Sequence, residues 1–276
     1  MNDPTLSLIF RSWAWQPAIV LGLGLVAAGY GYVFYYLWQR NRLKGMFERG
    51  ELRRSQPWYF AAGLVTLFIA LVSPIDVLSD SLFSAHMVQH MLKIMVAAPL
   101  ILLGLPAFFF QPFRQYGRLN TVLAGLTHPA SAFILFNLTL LGWHLPVLYE
   151  ATLSNSLIHD LEHALFFYTA LLSWWPLLSP FPELPRLSYP AQMLYIFLMA
   201  IPAGLLSAVL VFSSQPFYPA YAAVPRLWGL TALADQQIGG LIMMIPGKAI
   251  YLIALTVVFF IWFNQDEEYV GQEQLL

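Results

Sequence analysis

The sequence predicts an all-α fold, a polytopic membrane helical bundle of about seven transmembrane helices that forms a single domain over residues 1–276. Three observations lead there. Of 276 residues, 59% are hydrophobic and only 10% charged, and the mean hydropathy is +0.66. A soluble chain of this length needs roughly a quarter of its residues charged to cover its surface, so most of this surface must face lipid. Seven apolar segments reach or approach the ~20 residues that cross a hydrocarbon core. Finally, Pro punctuates the joins, at Ser73-Pro74, Leu105-Pro106, His128-Pro129, Leu145-Pro146 and Ser179-Pro180.

The segments run roughly 17–38, 58–73, 83–105, 129–144, 157–178, 190–212 and 236–263. The second and fourth are short and need tilt or neighbouring residues to span. The first is too long for a signal-peptide core and lacks a small-residue cleavage site after a basic start, so it reads as a retained helix. Basic residues set the orientation. Arg40, Arg42, Lys44, Arg49, Arg53 and Arg54 follow the first segment, Arg114 and Arg118 the third, and Arg186 the fifth. Only Arg11 and Arg226 fall in loops of the other side. The N-terminus is therefore expected outside, and the acidic tail (Asp266, Glu267, Glu268, Glu273) inside. The nine tryptophans lie mostly at segment ends, as an interfacial aromatic belt requires.

Composition also excludes function classes. A formal net charge of −1, with no basic block beyond one loop, argues against a nucleic-acid partner. The absence of cysteine rules out disulfides, zinc ribbons and thiol chemistry. There is no Walker motif, nucleophile elbow or dinucleotide fingerprint.

The expected topology sorts the histidines. His86 and His90 open the third segment at its outer end, His144 closes the fourth at that end, and His159 and His163 open the fifth. Only His128 falls on the cytoplasmic side. His86 and His90 are four apart and share one helix face, and His159 and His163 repeat the arrangement. Two such pairs on facing helices supply four nitrogens, enough for one or two transition-metal ions. Met87 and Met91 form a second i,i+4 stripe whose thioethers suit cuprous copper, although methionine is also ordinary packing in an apolar helix. Asp76, Asp80, Asp160, Glu162 and Asp235 are candidate acceptors behind the imidazoles, fixing their tautomers.

A lone interfacial histidine is most simply a hydrogen-bonded structural residue. Five on one side, in two matched pairs and a single, read instead as metal or haem ligands. Lys93 shares the face of His86 and His90 but lies deeper, where a lysine needs a partner: an ion pair, a carbonyl contact or a role in moving ions or protons. His159-Asp160-Leu161-Glu162-His163 also fits the H-x-x-E-H pattern of inverted zinc proteases, with Glu162 as base. The further carboxylate such a site wants is absent from the later segments, save for Asp235, so the chain is expected not to be an enzyme.

Four blocks carry a family resemblance: Ser73-Pro74-Ile75-Asp76; Phe83-Ser84-Ala85-His86-Met87-Val88-Gln89-His90-Met91; Gly142-Trp143-His144-Leu145-Pro146 with Leu157-Ile158-His159-Asp160-Leu161-Glu162-His163; and Asp235-Gln236-Gln237-Ile238-Gly239-Gly240-Leu241-Ile242-Met243. Together they resemble the seven-helix assembly-factor family of the caa(3)-type cytochrome c oxidase, the CtaG type. The resemblance implies a multi-pass protein of the bacterial plasma (inner) membrane that matures a haem-copper oxidase by handling copper on the outer side. Its implied partners are membrane lipid, oxidase subunits and an outer-side copper chaperone. On this reading His86, His90, His159 and His163 bind copper, with His144, Met87 and Met91 as further candidates. The alternatives are a haem-binding protein for haem delivery or electron transfer, and a membrane metalloenzyme.

Overall fold

The computed structural model describes residues 11–184, 186–224 and 227–273, and no strand occurs among them. Arg226, and the side chains of Arg114 and of the acidic tail, lie outside the described residues. Helix α1 (Pro17–Gln39) is followed by the short α2 (Leu43–Glu48), α3 (Gln56–Val72) and α4 (Pro74–Ser79). Helix α5 (Phe83–Gly104) contains a π-helical stretch, Leu92–Ala97. A 3-10 segment, Ala107–Gln115, leads to α6 (Gly117–Thr127) and α7 (Pro129–Trp143), bent 64° from one another at His128. Then come α8 (Pro146–Ser154), α9 (Ser156–Leu178), α10 (Tyr189–Phe212), α11 (Pro219–Ala223) and α12 (Ala232–Glu273).

Every expected span thus coincides with a helix. Four are long and apolar enough to cross a membrane: α1, α5, α10 and Ala232–Gln265 of α12. The bent α6–α7 pair makes five if it is one span. Helix α3 has only 17 residues, and α9, at 23, opens with a polar first half. Pro at the first turn starts most of these helices, where its missing N–H costs nothing.

Helix α5 lies at the centre, and small residues let its neighbours close on it, as lipid-embedded packing requires. A Cβ on Gly104 would lie 2.4 Å from the Phe60 nitrogen, so α3 can approach only glycine there. At the other end of α5, a Cβ on Gly239 would lie 2.3 Å from Phe83 Cδ1, and one on Gly240 would lie 2.8 Å from Val211 Cγ2. The adjacent glycines of α12 therefore face α5 and α10 respectively. Three tryptophans depart from the belt expectation: Trp143, Trp174 and Trp175 are buried. Trp174 Nε1 donates to the Ile94 carbonyl at 2.9 Å, a group inside the π-helical turn. Its position near a segment end is accidental to its role in holding α9 against α5.

Candidate metal centre

The site begins with the start of α5. Asp235 Oδ2 accepts from the Phe83 amide at 2.7 Å and Oδ1 from the Ser84 amide at 3.1 Å. An acidic residue of α12 thus caps the helix that carries His86 and His90, satisfying donors that an isolated helix leaves open. This corrects the expectation for Asp235, whose carboxylate is spent on backbone rather than on an imidazole. Gln89, between the two histidines, donates to the Ala70 carbonyl at 2.9 Å and to Asp76 Oδ1 at 2.6 Å, tying α5 to α3 and α4. Asp76 lies outside the spans; burial pushes its carboxyl up to about 6, against the opposing hydrogen bond from Gln89. It serves Gln89, not a histidine. Asp80 and Asp160 are exposed.

Helix α9 starts under an Asn155 cap, whose side chain accepts from the Leu157 and Ile158 amides, and brings its histidine pair to the first. Ring centroids are 4.4 Å apart for His86–His90 and 4.2 Å for His159–His163. Across the two helices they are 6.0 Å for His86–His159, 5.8 Å for His86–His163 and 5.4 Å for His90–His163. Four imidazoles from two i,i+4 pairs therefore form one cluster.

Glu162 joins the cluster from α9. Its Oε1 lies 3.4 Å from His86 Nε2 and 3.5 Å from His90 Nε2, and all three side chains are at most 3% exposed. One ligand atom from each of His86, His90 and Glu162 falls within 4.8 Å of the others. The sequence placed Glu162 behind the imidazoles; in the structure its carboxylate stands among the atoms that could hold a metal ion. Three residues after His159, it shares the face that this pair turns toward α5.

The cluster is rich in unsatisfied polar atoms. The Nδ1 atoms of His86 and His90, Glu162 Oε2, His144 Nε2 and His163 Nε2 are buried without a hydrogen-bond partner, and the Nε2 atoms of His86 and His90 face only Glu162 Oε1, at 3.4 and 3.5 Å. Each such atom costs about 1–3 kcal/mol unless something occupies the space between them. His144 is pre-set for ligation: its Nδ1–H donates to the Leu140 carbonyl at 2.7 Å, which leaves the Nε2 lone pair open. It borders the same two rings as the α5 histidines. Tyr149 lies 5.3 Å from His86 and 6.4 Å from His144, and Phe166 lies 4.4 Å from His90 and 6.2 Å from His144. The methionines face elsewhere. Met87 is buried beside Gly239 of α12, and Met91 lines a small apolar cavity beside Gly247.

Several features of the site escaped the sequence reading. Lys93 Nζ pairs with His163 Nδ1, a partner that was not anticipated. The π-helical turn that contains Lys93 was invisible in hydropathy, although such turns recur at functional sites. A roof of three tyrosines closes the cluster. Tyr149 meets Tyr221 hydroxyl to hydroxyl at 2.9 Å, Tyr221 donates to the Ser79 carbonyl at 3.0 Å, and Tyr218 donates to the His144 carbonyl at 3.0 Å. Burial pushes all three phenols up, so they stay protonated as donors. His128 stands apart as the N-cap of α7, accepting from the Ala130 amide.

Apolar helices of membrane-spanning length, enclosing a buried His/Glu cluster, define an integral membrane protein with a candidate metal centre. The chain belongs to the cytochrome c oxidase caa3 assembly factor family (Caa3_CtaG), whose model matches residues 29–265. It is 23% identical to an uncharacterized protein of Mycobacterium tuberculosis and to one of Mycobacterium bovis, each over 99% of this chain. It is 24% identical to an uncharacterized protein of Mycobacterium leprae over the same share. The chain spans 42% of the length of these relatives. No solved structure matches it significantly.

Proposed function

We propose that this chain is a membrane-embedded factor for the assembly of a haem-copper cytochrome c oxidase, which binds copper as cargo and passes it sideways to an apo-oxidase subunit. The observation that carries this reading is the set of unpartnered ligand atoms on His86, His90 and Glu162, buried together between α5 and α9. His144, His159 and His163 complete the set around that core. Imidazole with one carboxylate suits a divalent transition metal, and copper heads the affinity order for such donors. Glu162 supplies a negative charge that offsets the ion's own in a low-dielectric site. The packing role of Met87 and Met91 leaves the imidazoles as the principal donors.

Expected orientation places the cluster near the outer face of a bacterial plasma membrane, where an outer-side chaperone would load it. The tyrosine roof then separates bound copper from water, and the apo-oxidase collects it within the bilayer. Haem fits less well: the imidazoles already lie 4.2–6.0 Å apart, ring to ring, which leaves no slot for a macrocycle between them. A protease reading fares no better, because Glu162 is 1% exposed and engaged by histidines of another helix. Metal analysis and an absorption spectrum of the detergent-purified protein test the proposal. It expects copper bound in stoichiometric amount and no Soret band; haem absorption without copper would falsify it.

A further inference from the structure

An apolar helix face is ordinary in lipid, but α12 carries a lysine halfway along its span. Lys248 lies about 20 Å along the helix from Asp235 and about 25 Å from Gln265, at 1.5 Å per residue. Each half of a hydrocarbon core is ~15 Å deep. A lysine stem reaches only about 6 Å, so this ammonium cannot regain water at either surface.

Lys248 is exposed on the outside of the bundle. Its side chain lies across α10 at Gly204, where an added Cβ would fall 3.0 Å from Cε and 3.3 Å from Nζ. No hydrogen bond or ion pair reaches it from the described residues. Lys93, by contrast, is buried and paired with His163. Inward, Lys248 borders a cavity of ≈20 Å³ whose walls, among them Met91, Phe136, Leu140, Ala200 and Met243, offer no carboxylate. A charge inside a membrane is met by a partner, and here the partner must come from outside.

The occupant follows by elimination. A phospholipid head or a fatty acid keeps its anion at the interface, ~15 Å above this level. A second copy of the chain has no acid to offer at that depth. All 14 acidic residues lie outside the expected spans, save Asp160 and Glu162 at the start of 157–178. A carboxylate at mid-depth is therefore one borne by a helix of another protein, whose backbone is satisfied in hydrocarbon. The surface suits a helix. Leu241, Ile245, Lys248 and Leu252 follow the alternating four- and three-residue spacing of a helix-pairing seam. The three apolar members are 37%, 61% and 64% exposed. We propose that the α10–α12 face centred on Lys248 docks a transmembrane helix of a partner protein, whose Asp or Glu at mid-bilayer depth pairs with the Lys248 ammonium. This pairing needs no metal, so it stands apart from copper binding at the histidine cluster.

The test reconstitutes the full chain in phospholipid vesicles with a synthetic leucine-alanine transmembrane peptide carrying one central glutamate. Energy transfer reads association, between a dye on the peptide and one on a single cysteine added after Leu276, in a chain with no cysteine of its own. The wild type should bind this peptide about tenfold more tightly than its central-glutamine twin, the scale of the strongest polar contacts between membrane helices. Lys248→Met should erase the preference and Lys248→Arg keep it, both with wild-type copper content and melting temperature. Equal affinity for the two peptides would mean that the amine stands neutral in lipid, and would overturn the proposal. So would a glutamate preference that survives Lys248→Met, or loss of the fold in that variant, which would place the lysine's partner inside the molecule. In cells, a photoreactive residue in place of Ile245 should cross-link a membrane helix that has Asp or Glu at mid-depth. Cross-links only to lipid, to a second copy or to helices without such an acid would overturn it equally.

Discussion

Glu162 and His86 meet across the α5–α9 interface with Oε1 and Nε2 3.4 Å apart, each side chain 1% exposed. Removing one member of a buried charged set is costly, because the others are left uncompensated. Glu162→Gln keeps the shape and removes the charge, so copper affinity should fall at least tenfold, the scale for losing a group that tunes a metal site. Asp160→Asn, two residues away but exposed, should stay within about threefold, since exposed charges contribute little. Chelator competition on purified protein reads both. Equal affinities for the two variants would place Glu162 outside the centre.

The capping of α5 by Asp235 gives a stability prediction. Asp235→Ala removes the acceptor of the Phe83 and Ser84 amides and should cost on the order of 1–2 kcal/mol. Gly239→Val should cost more, because its Cβ would meet the Phe83 ring at 2.3 Å. Both should lower the melting temperature in detergent and weaken copper binding, since they displace the helix start that carries His86. An Asp235→Ala protein that melts with the wild type would show that the cap is dispensable.

Much of this was legible in the sequence because the bilayer imposes simple rules. Length and hydropathy located a helix at each of the seven segments, and i,i+4 spacing put each histidine pair on one face. What spacing cannot give is the neighbour. The contact of Glu162 with His86, the pairing of Lys93 with His163 and the roof formed by Tyr149, Tyr218 and Tyr221 all depend on which helices pack together. Asp235 was singled out for its charge, but a carboxylate at a helix mouth reads the same whether it faces an imidazole or another helix's amides. Trp174 misled for a related reason: its place near a segment end matched the belt, while its indole N–H was needed inside at the Ile94 carbonyl.

Orientation gives a prediction independent of metal. The run from Arg40 to Arg54 outweighs the basic residues expected on the other side, so the C-terminus should be cytoplasmic. A cytoplasm-dependent reporter fused after Leu276 should be active and an export-dependent one silent. The reverse pattern would move the histidine cluster to the inner face and remove the case for outer-side copper loading.

His144 and His128 make the sharpest paired comparison, because they bracket one helix and are held in opposite ways. His128 Nδ1 accepts from the Ala130 amide at the start of α7, a cap that asparagine or serine reproduces. His144 Nδ1–H donates to the Leu140 carbonyl at the other end and leaves a buried Nε2 without a partner. A nitrogen in that state is either a standing cost to the fold or a ligand. If it is a ligand, His144→Ala should lower copper affinity by about 10–100-fold. His128→Asn should leave affinity unchanged, and His128→Ala should cost only about 1 kcal/mol of stability. Copper titration with thermal melts on the three variants decides it. Loss of affinity in His128→Asn as large as in His144→Ala would mean that the two ends of α7 do not differ in function, against the division of the histidines between them.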